Sequence, residues 1–222
     1  MTKLLIVANW KSNKTTEEAL QWLESFKTSD LNLENKEIII CPSFTLLGVL
    51  KDKIREMGLP IKLGAQDISP FEQGAHTGDV NGRQIKEFAD YVLVGHSERR
   101  SKYSESDEIL LRKVEMAKRY GLDSLFFVPN ETSSIPEGVK MIVYEPPSAI
   151  STSPNPIVES PQEAERAIRA IKEKYTSSQV LYGGSVDSSN AHSFLEKEDV
   201  GGVVVGHASL DPLEFLRLIQ NA

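Results

Sequence analysis

Short apolar runs recur along the chain, and each leads into a polar stretch with helical spacing. "LLIVAN" (4–9) precedes "TTEEALQWLESFK", where Leu20, Leu23 and Phe26 fall on one helical face with Trp22 beside it. "EIIICP" precedes "SFTLLGVLKDKIREM". "IKLGAQD" is followed by the loop "ISPFEQGAHTGDVN" and a short helix through "GRQIKEFA". "YVLVGH" precedes "SESDEILLRKVEMAKRY", which starts on an N-cap-like Ser104 or Ser106. After "SLFFVP" comes "NETSSIPEG", too polar and interrupted for a good helix. "KMIVYEP", "QVLYGGS" and "GGVVVGH" each precede a further helical pattern, in "SPQEAERAIRAIKEKY", "SSNAHSFLEK" and "DPLEFLRLIQ". The apolar runs do not alternate with polar residues, so the strands are buried on both faces, as in a parallel sheet covered by helices.

Strand and helix thus alternate about eight times in units of about 28 residues, which suits a (β/α)8 barrel at its compact end. The interrupted "NETSSIPEG" predicts a weak or missing fifth helix. A doubly wound open sheet is the structural alternative, but it would usually carry a Gly-rich turn after its first strand, where this chain reads "ANWKSNKT". No linker or composition shift divides the chain, so residues 1–222 read as a single barrel domain.

Composition narrows the functional classes. A formal net charge of −7 argues against nucleic acid or an anionic membrane as a partner. The first apolar run is too short for a signal or a membrane span. Cys41 is the only cysteine, which excludes an internal disulfide and fits a cytoplasmic location. A small anionic ligand would have to be held by local features, such as a placed Lys or backbone N–H groups.

In a barrel of this kind the chemistry lies where the strands end. The strand ends carry Asn9 and Lys11, then His96 with Glu98, then Glu145, then Gly183, Gly184 and Ser185, and finally Gly206 and His207. Singly, each has an ordinary structural reading: a solvated Lys, a hydrogen-bonded His, a loop carboxylate, a Gly turn. Together, Lys, His and Glu converge on one rim, and the Gly-containing loops at the seventh and eighth strands match the usual phosphate site of the architecture.

Those stretches carry a resemblance. "ANWKSN", "CPSF", "GAQDIS" with "GAHTGD", "YVLVGHSERR", "YEPPSAI", "YGGSV" and "VVVGHASL" occur in an order and spacing similar to the triosephosphate isomerase family over essentially the whole chain. The resemblance implies interconversion of dihydroxyacetone phosphate and glyceraldehyde 3-phosphate through an enediolate, without metal or cofactor. It implies Glu145 as the base, a neutral His96 that polarises the carbonyl, and Lys11 as the charge that holds the anion, with Asn9 donating beside it. Glu98 is implied as a supporting carboxylate within reach of a pairing with Lys11. Ser151, Ser185, Gly206 and His207 would contact substrate. The family usually has Gly where His207 stands, so His207 reads as a tolerated substitution that keeps its backbone N–H rather than as a new ionic contact.

The resemblance is weakest in the stretch after Glu145. "AISTSPNP" replaces a pattern that usually holds glycines, at Ser151 and Ser153, and Ser148 and Asn130 stand where many members have Trp and Glu. These changes imply a different latch for a closing lid. The third loop of the family inserts into a second subunit, which implies a homodimer, or alternatively a tetramer, with Thr77 at the inserted tip and Asp79 pairing Arg99. Two other functions stay open at this stage. One is a non-catalytic phosphosugar-binding barrel with an altered lid. The other is an aldolase-like lyase, which would need a Schiff-base Lys inside a strand.

Overall fold

The computed structural model describes residues 3–26, 33–149 and 159–222. Strands β1 (Leu4–Asn9), β2 (Lys36–Cys41), β3 (Ile61–Ala65), β4 (Tyr91–Val94), β5 (Asp123–Val128), β6 (Met141–Tyr144), β7 (Gln179–Tyr182) and β8 (Gly202–Val205) close into one parallel barrel in sequence order. Closure of β8 onto β1 rules out the open doubly wound sheet. Among the described residues, no helix is long and apolar enough to cross a membrane.

Alternation along each strand sorts the side chains into two layers. Leu5 and Val7, Ile39 and Cys41, Leu125 and Phe127, and Met141 and Val143 belong to one apolar cluster that fills the barrel. The residues between them, such as Ile6, Ile38, Ile40, Phe126 and Ile142, pack outward against the helices. Both faces are therefore apolar, which is why the strand runs do not alternate in the sequence. Burying each such Ile, Leu or Phe contributes about 1.5–3 kcal/mol.

Helices α1 (Thr16–Ser25), α2 (Leu47–Met57) and α3 (Gly82–Lys86) follow the first three strands. After β4 come two, α4 (Ser97–Lys102) and α5 (Asp107–Arg119), and later α6 (Pro161–Lys174), α7 (Ala191–Leu195) and α8 (Pro212–Gln220). Ser106, not Ser104, caps α5. Capping boxes start α1 at Thr15 with Glu18 and α6 at Ser160 with Glu163, each worth about 1 kcal/mol. No helix forms between β5 and β6, where residues 129–140 make only turns. Thus the fifth helix is missing, for the reason its Ser, Pro and Gly content implied.

The buried stripe of α1 is Ala19, Trp22, Leu23 and Phe26, whereas Leu20 is half-exposed. That spacing follows the helical repeat more closely than the Leu20–Leu23–Phe26 face expected from hydrophobicity alone. Trp22 stacks on Phe26 at 4.8 Å, meets Trp10 edge-on at 5.1 Å and donates from Nε1 to the Ser209 carbonyl at 3.1 Å. One aromatic cluster thereby ties the loop after β1 to the loop after β8.

Candidate active site

The inward phase of the strands runs on past their ends and sets the site. Met141 and Val143 face into the barrel, and Glu145, two residues further, continues the series over its mouth. Asn9 extends Leu5 and Val7 in the same way, Gly183 extends Leu181, and Gly206 extends Val204. At β4 the phase is broken. Gly95 adopts φ +79°, a left-handed conformation that glycine tolerates at little cost, and this turns His96 toward the mouth. A Cβ at Gly95 would also come within 3.1 Å of Arg100 and 3.2 Å of Leu110.

Asn9, Lys11, His96, Glu145, Gly183 and Gly206 line one cavity of about 190 Å³ together with Phe127, Gly184, Ser185, Val186, Asp187, Val204, His207 and Ala208. Lys11 takes φ +52°, unusual for a side chain with a Cβ, and its backbone is held from both sides. Its N–H donates to Asn9 Oδ1 at 3.0 Å, and its carbonyl accepts from Gln66 Nε2 at 2.8 Å. The Lys11 ammonium meets Glu98 Oε1 at 2.9 Å. Glu98 therefore lies beside Lys11, and the ammonium and hydrogen bond of Lys11 outweigh burial to keep its carboxyl below the usual range.

His96 caps α4. Its Nδ1 accepts from the Glu98 backbone N–H at 3.2 Å, which places the ring proton of the neutral form on Nε2. Burial, reinforced by the charge of Lys11 and opposed by Glu98, lowers its pKa to about 4. Across from it, Glu145 is buried and accepts from the Ser97 backbone N–H at 2.9 Å. Burial raises its pKa to about 7, against the pull of Ser97 and Lys11. Its Oε1 lies 3.3 Å from His96 Nε2. A basic carboxylate and a neutral N–H donor thus face one cavity, the arrangement that proton transfer between adjacent atoms of a small ligand requires.

The loops after β7 and β8 supply the other wall. Gly183 approaches too closely for a side chain: a Cβ there would lie 2.7 Å from Val143. Ser185 donates from both its N–H and its hydroxyl to the Ala149 carbonyl, at 3.0 and 2.8 Å. Gly206 and exposed His207 follow β8. Among the described residues, no His, Cys, Asp and Glu side chains are grouped to hold a metal ion.

Ser151 and Ser153 lie outside the described residues. Ser148 sits exposed in the turn Pro147–Ala149, and Asn130 Oδ1 is taken up in its own loop by Thr132 and Ser133. Thr77 and Asp79 are exposed on the loop after β3. Asp79 accepts from the Ser69 hydroxyl at 2.6 Å, and Arg99 pairs with Asp67 at 2.8 Å and Glu105 at 2.7 Å. An Asp79–Arg99 bridge between subunits would therefore have to displace existing partners.

Four contributors escaped the sequence reading. Ser97 acts through its backbone N–H, so its residue type gave no signal. Phe127 meets the His96 ring edge-on at 5.0 Å and belongs to a strand otherwise read as core. Asp187 had no motif to mark it. Gln66 donates to both the Lys11 and Cys41 carbonyls and fixes the Lys11 loop. Its place in "GAQDIS" was the one available clue.

Comparison with known proteins gives a consistent picture. The sequence profile of the family described as triosephosphate isomerase matches residues 4–222. The chain is 35% identical to the triosephosphate isomerase of Gloeothece citriformis over 99% of both chains. It is 33% identical to that of Dictyoglomus thermophilum over 100% of both. The crystal structure of triosephosphate isomerase from Bartonella henselae superposes with a TM-score of 0.82 at 30% identity, over 99% of this chain and 98% of that one.

Proposed function

The chain belongs to the triosephosphate isomerase family, and on that premise we propose how its residues interconvert dihydroxyacetone phosphate and glyceraldehyde 3-phosphate. Residues 1–222 act as one catalytic domain. Glu145 removes a proton from the carbon beside the carbonyl, and the released electron pair forms the enediolate double bond. The carbonyl oxygen takes up the negative charge, which the Lys11 ammonium and His96 Nε2–H stabilise. His96 then moves a proton between the two oxygens, and protonated Glu145 returns its proton to the neighbouring carbon. Atoms and electrons balance within the substrate, so the steps need no cofactor. Asn9 donates beside Lys11. Backbone N–H groups of Gly206 and His207 hold the phosphate, Ser185 joins them on releasing the Ala149 carbonyl, and Ser151 completes the contact.

The observation that carries this reading is the pairing of Glu145 with His96. The two groups lie 3.3 Å apart on one cavity, and their pKa values are pushed in opposite directions, to about 7 and about 4. The lyase alternative loses support because the described strand lysines face elsewhere. Lys36 donates to the Ile219 carbonyl, and Lys62 pairs with Asp90 at the surface. A positioned base is superfluous for a protein that only binds phosphosugars.

The same reading includes a homodimer formed through the loop bearing Thr77, with Asp79 and Arg99 at its edge and a tetramer as the alternative assembly. It also includes a cytoplasmic location, supported by Cys41 as a buried free thiol. The test is turnover of glyceraldehyde 3-phosphate in a coupled assay, beside Glu145→Gln. We expect rapid turnover and a loss of about 10³-fold in kcat for the variant, with the fold intact by circular dichroism. Undiminished turnover in the variant would remove Glu145 from the role of base.

A further inference from the structure

Among the described residues, the cavity is short of net positive charge for the ligand it is read to hold. Its charged lining residues are Lys11, Glu145 and Asp187. The ammonium of Lys11 is already compensated by Glu98 at 2.9 Å. Asp187 is held by the N–H and hydroxyl of Ser189, at 2.8 and 2.6 Å, and neither donor is a cation. Buried His96 is neutral over most of the pH range. A phosphate dianion would therefore enter a site whose balance is already negative, in a protein whose net charge is −7.

One lining residue can reduce that excess of negative charge. The chain has four histidines, and three of them are engaged. His76 stacks on Phe71, His96 binds the Glu98 N–H, and His192 meets the Asn221 carbonyl. His207 has no hydrogen-bond, ion-pair or ring partner among the described residues, and it is exposed at the cavity wall. The neighbouring Gly206 lies against the end of Lys11, whose Nζ would be 3.9 Å from a Cβ at that position. The Lys11 amine thus lies beside the glycine that directly precedes His207, and both residues line the cavity.

We propose that the His207 side chain, as an imidazolium, is a direct ligand for the substrate phosphate, offsetting Asp187 and adding a second cation to that of the paired Lys11. This rests on the reading that the loops after β7 and β8 hold the phosphate. The groups around it are Lys11 with Glu98, His96, Glu145 and Asp187. On its own side are Lys14, which donates to the Leu210 carbonyl, and Asp211, which caps α8.

Sulfate is the probe, because it keeps both charges where a phosphate monoester gains a proton near pH 6. Its competitive inhibition constant is measured at constant ionic strength at about pH 6 and about pH 8, the range over which histidine changes charge. The parent protein is compared with His207→Gln and His207→Arg. Glu145 also gains a proton near pH 7, so the difference between proteins, not the slope alone, is the readout. We expect sulfate affinity in the parent to rise about fivefold more toward low pH than in His207→Gln, as suits a solvent-screened charged contact. His207→Arg should bind sulfate tightly at both pH values, with only the slope of the Gln variant. Equal slopes in parent and His207→Gln would overturn the role of His207 and leave the phosphate loops standing. Failure of sulfate to compete in any of the three would overturn both.

Discussion

The ends of β4 and β8 carry one local pattern, an apolar strand followed by Gly and His, and produce two different histidines. Gly95 turns left-handed at φ +79° and swings His96 toward the barrel mouth, buried beside Phe127. Gly206 stays at φ −89° and leaves His207 at the surface. Burial at β4 removes the water that would solvate an imidazolium, and the Glu98 N–H fixes the tautomer, so His96 serves as a neutral donor. At β8 water remains, and among the described residues no protein group claims the ring. Backbone geometry one residue upstream therefore decides the chemistry of each imidazole, and the motif does not.

The contrast breaks most sharply under substitution of both rings. His96→Gln should lower kcat by about 10²–10⁴-fold, the usual contribution of a positioned proton carrier. The effect expected of His207→Gln is a KM raised about fivefold. Steady-state kinetics on the two variants measures both, and equal losses of kcat would void the distinction.

The buried side should also carry a stability cost absent from the exposed side. Burial raises the Glu145 carboxyl from 4.5 to about 7. Between those values the folded chain keeps a proton that the unfolded chain has released. Stability therefore falls as pH rises through this window, and the deficit is complete above about 7. Glu145→Gln removes the charge, so above pH 7 it should exceed the parent in stability by on the order of 3 kcal/mol. The gain should vanish toward pH 4.5, and urea unfolding across the window would reveal a flat difference if the burial cost is absent.

The smallest effect concerns the two glycines. Gly95→Ala forces a side chain into a left-handed residue near Arg100 and Leu110, and should cost about 1–3 kcal/mol. A Cβ at Gly206 meets only the flexible end of Lys11 at 3.5 Å, so Gly206→Ala should cost less than about 1 kcal/mol. Similar midpoints in denaturant for both variants would show that backbone handedness is not what separates the two sites.

Most of the fold was legible because its signals are local. Two-sided apolar strands, capping residues such as Ser160 with Glu163, and the broken "NETSSIPEG" each act within a few residues. The site was legible in part for the same reason, since the inward phase of Met141 and Val143 carries through to Glu145. Leu20 misled because hydrophobicity alone does not give the angle at which α1 meets the barrel. Gln66, Ser97 and Asp187 stayed hidden because their contributions come from backbone groups and from loops met only in three dimensions.

The sequence by itself determined the alternation of strands and helices, the loss of the fifth helix, and which strand ends bear Lys, His and Glu. Those properties depend on side-chain type and spacing along the chain. Only the tertiary structure decided that Lys11 is compensated by Glu98, 87 residues away, and that Glu145 rests on Ser97, 48 residues away. It also decided that one histidine is dry and the other wet. Desolvation and charge pairing depend on distances through space, and barrel closure sets these between residues far apart in the chain.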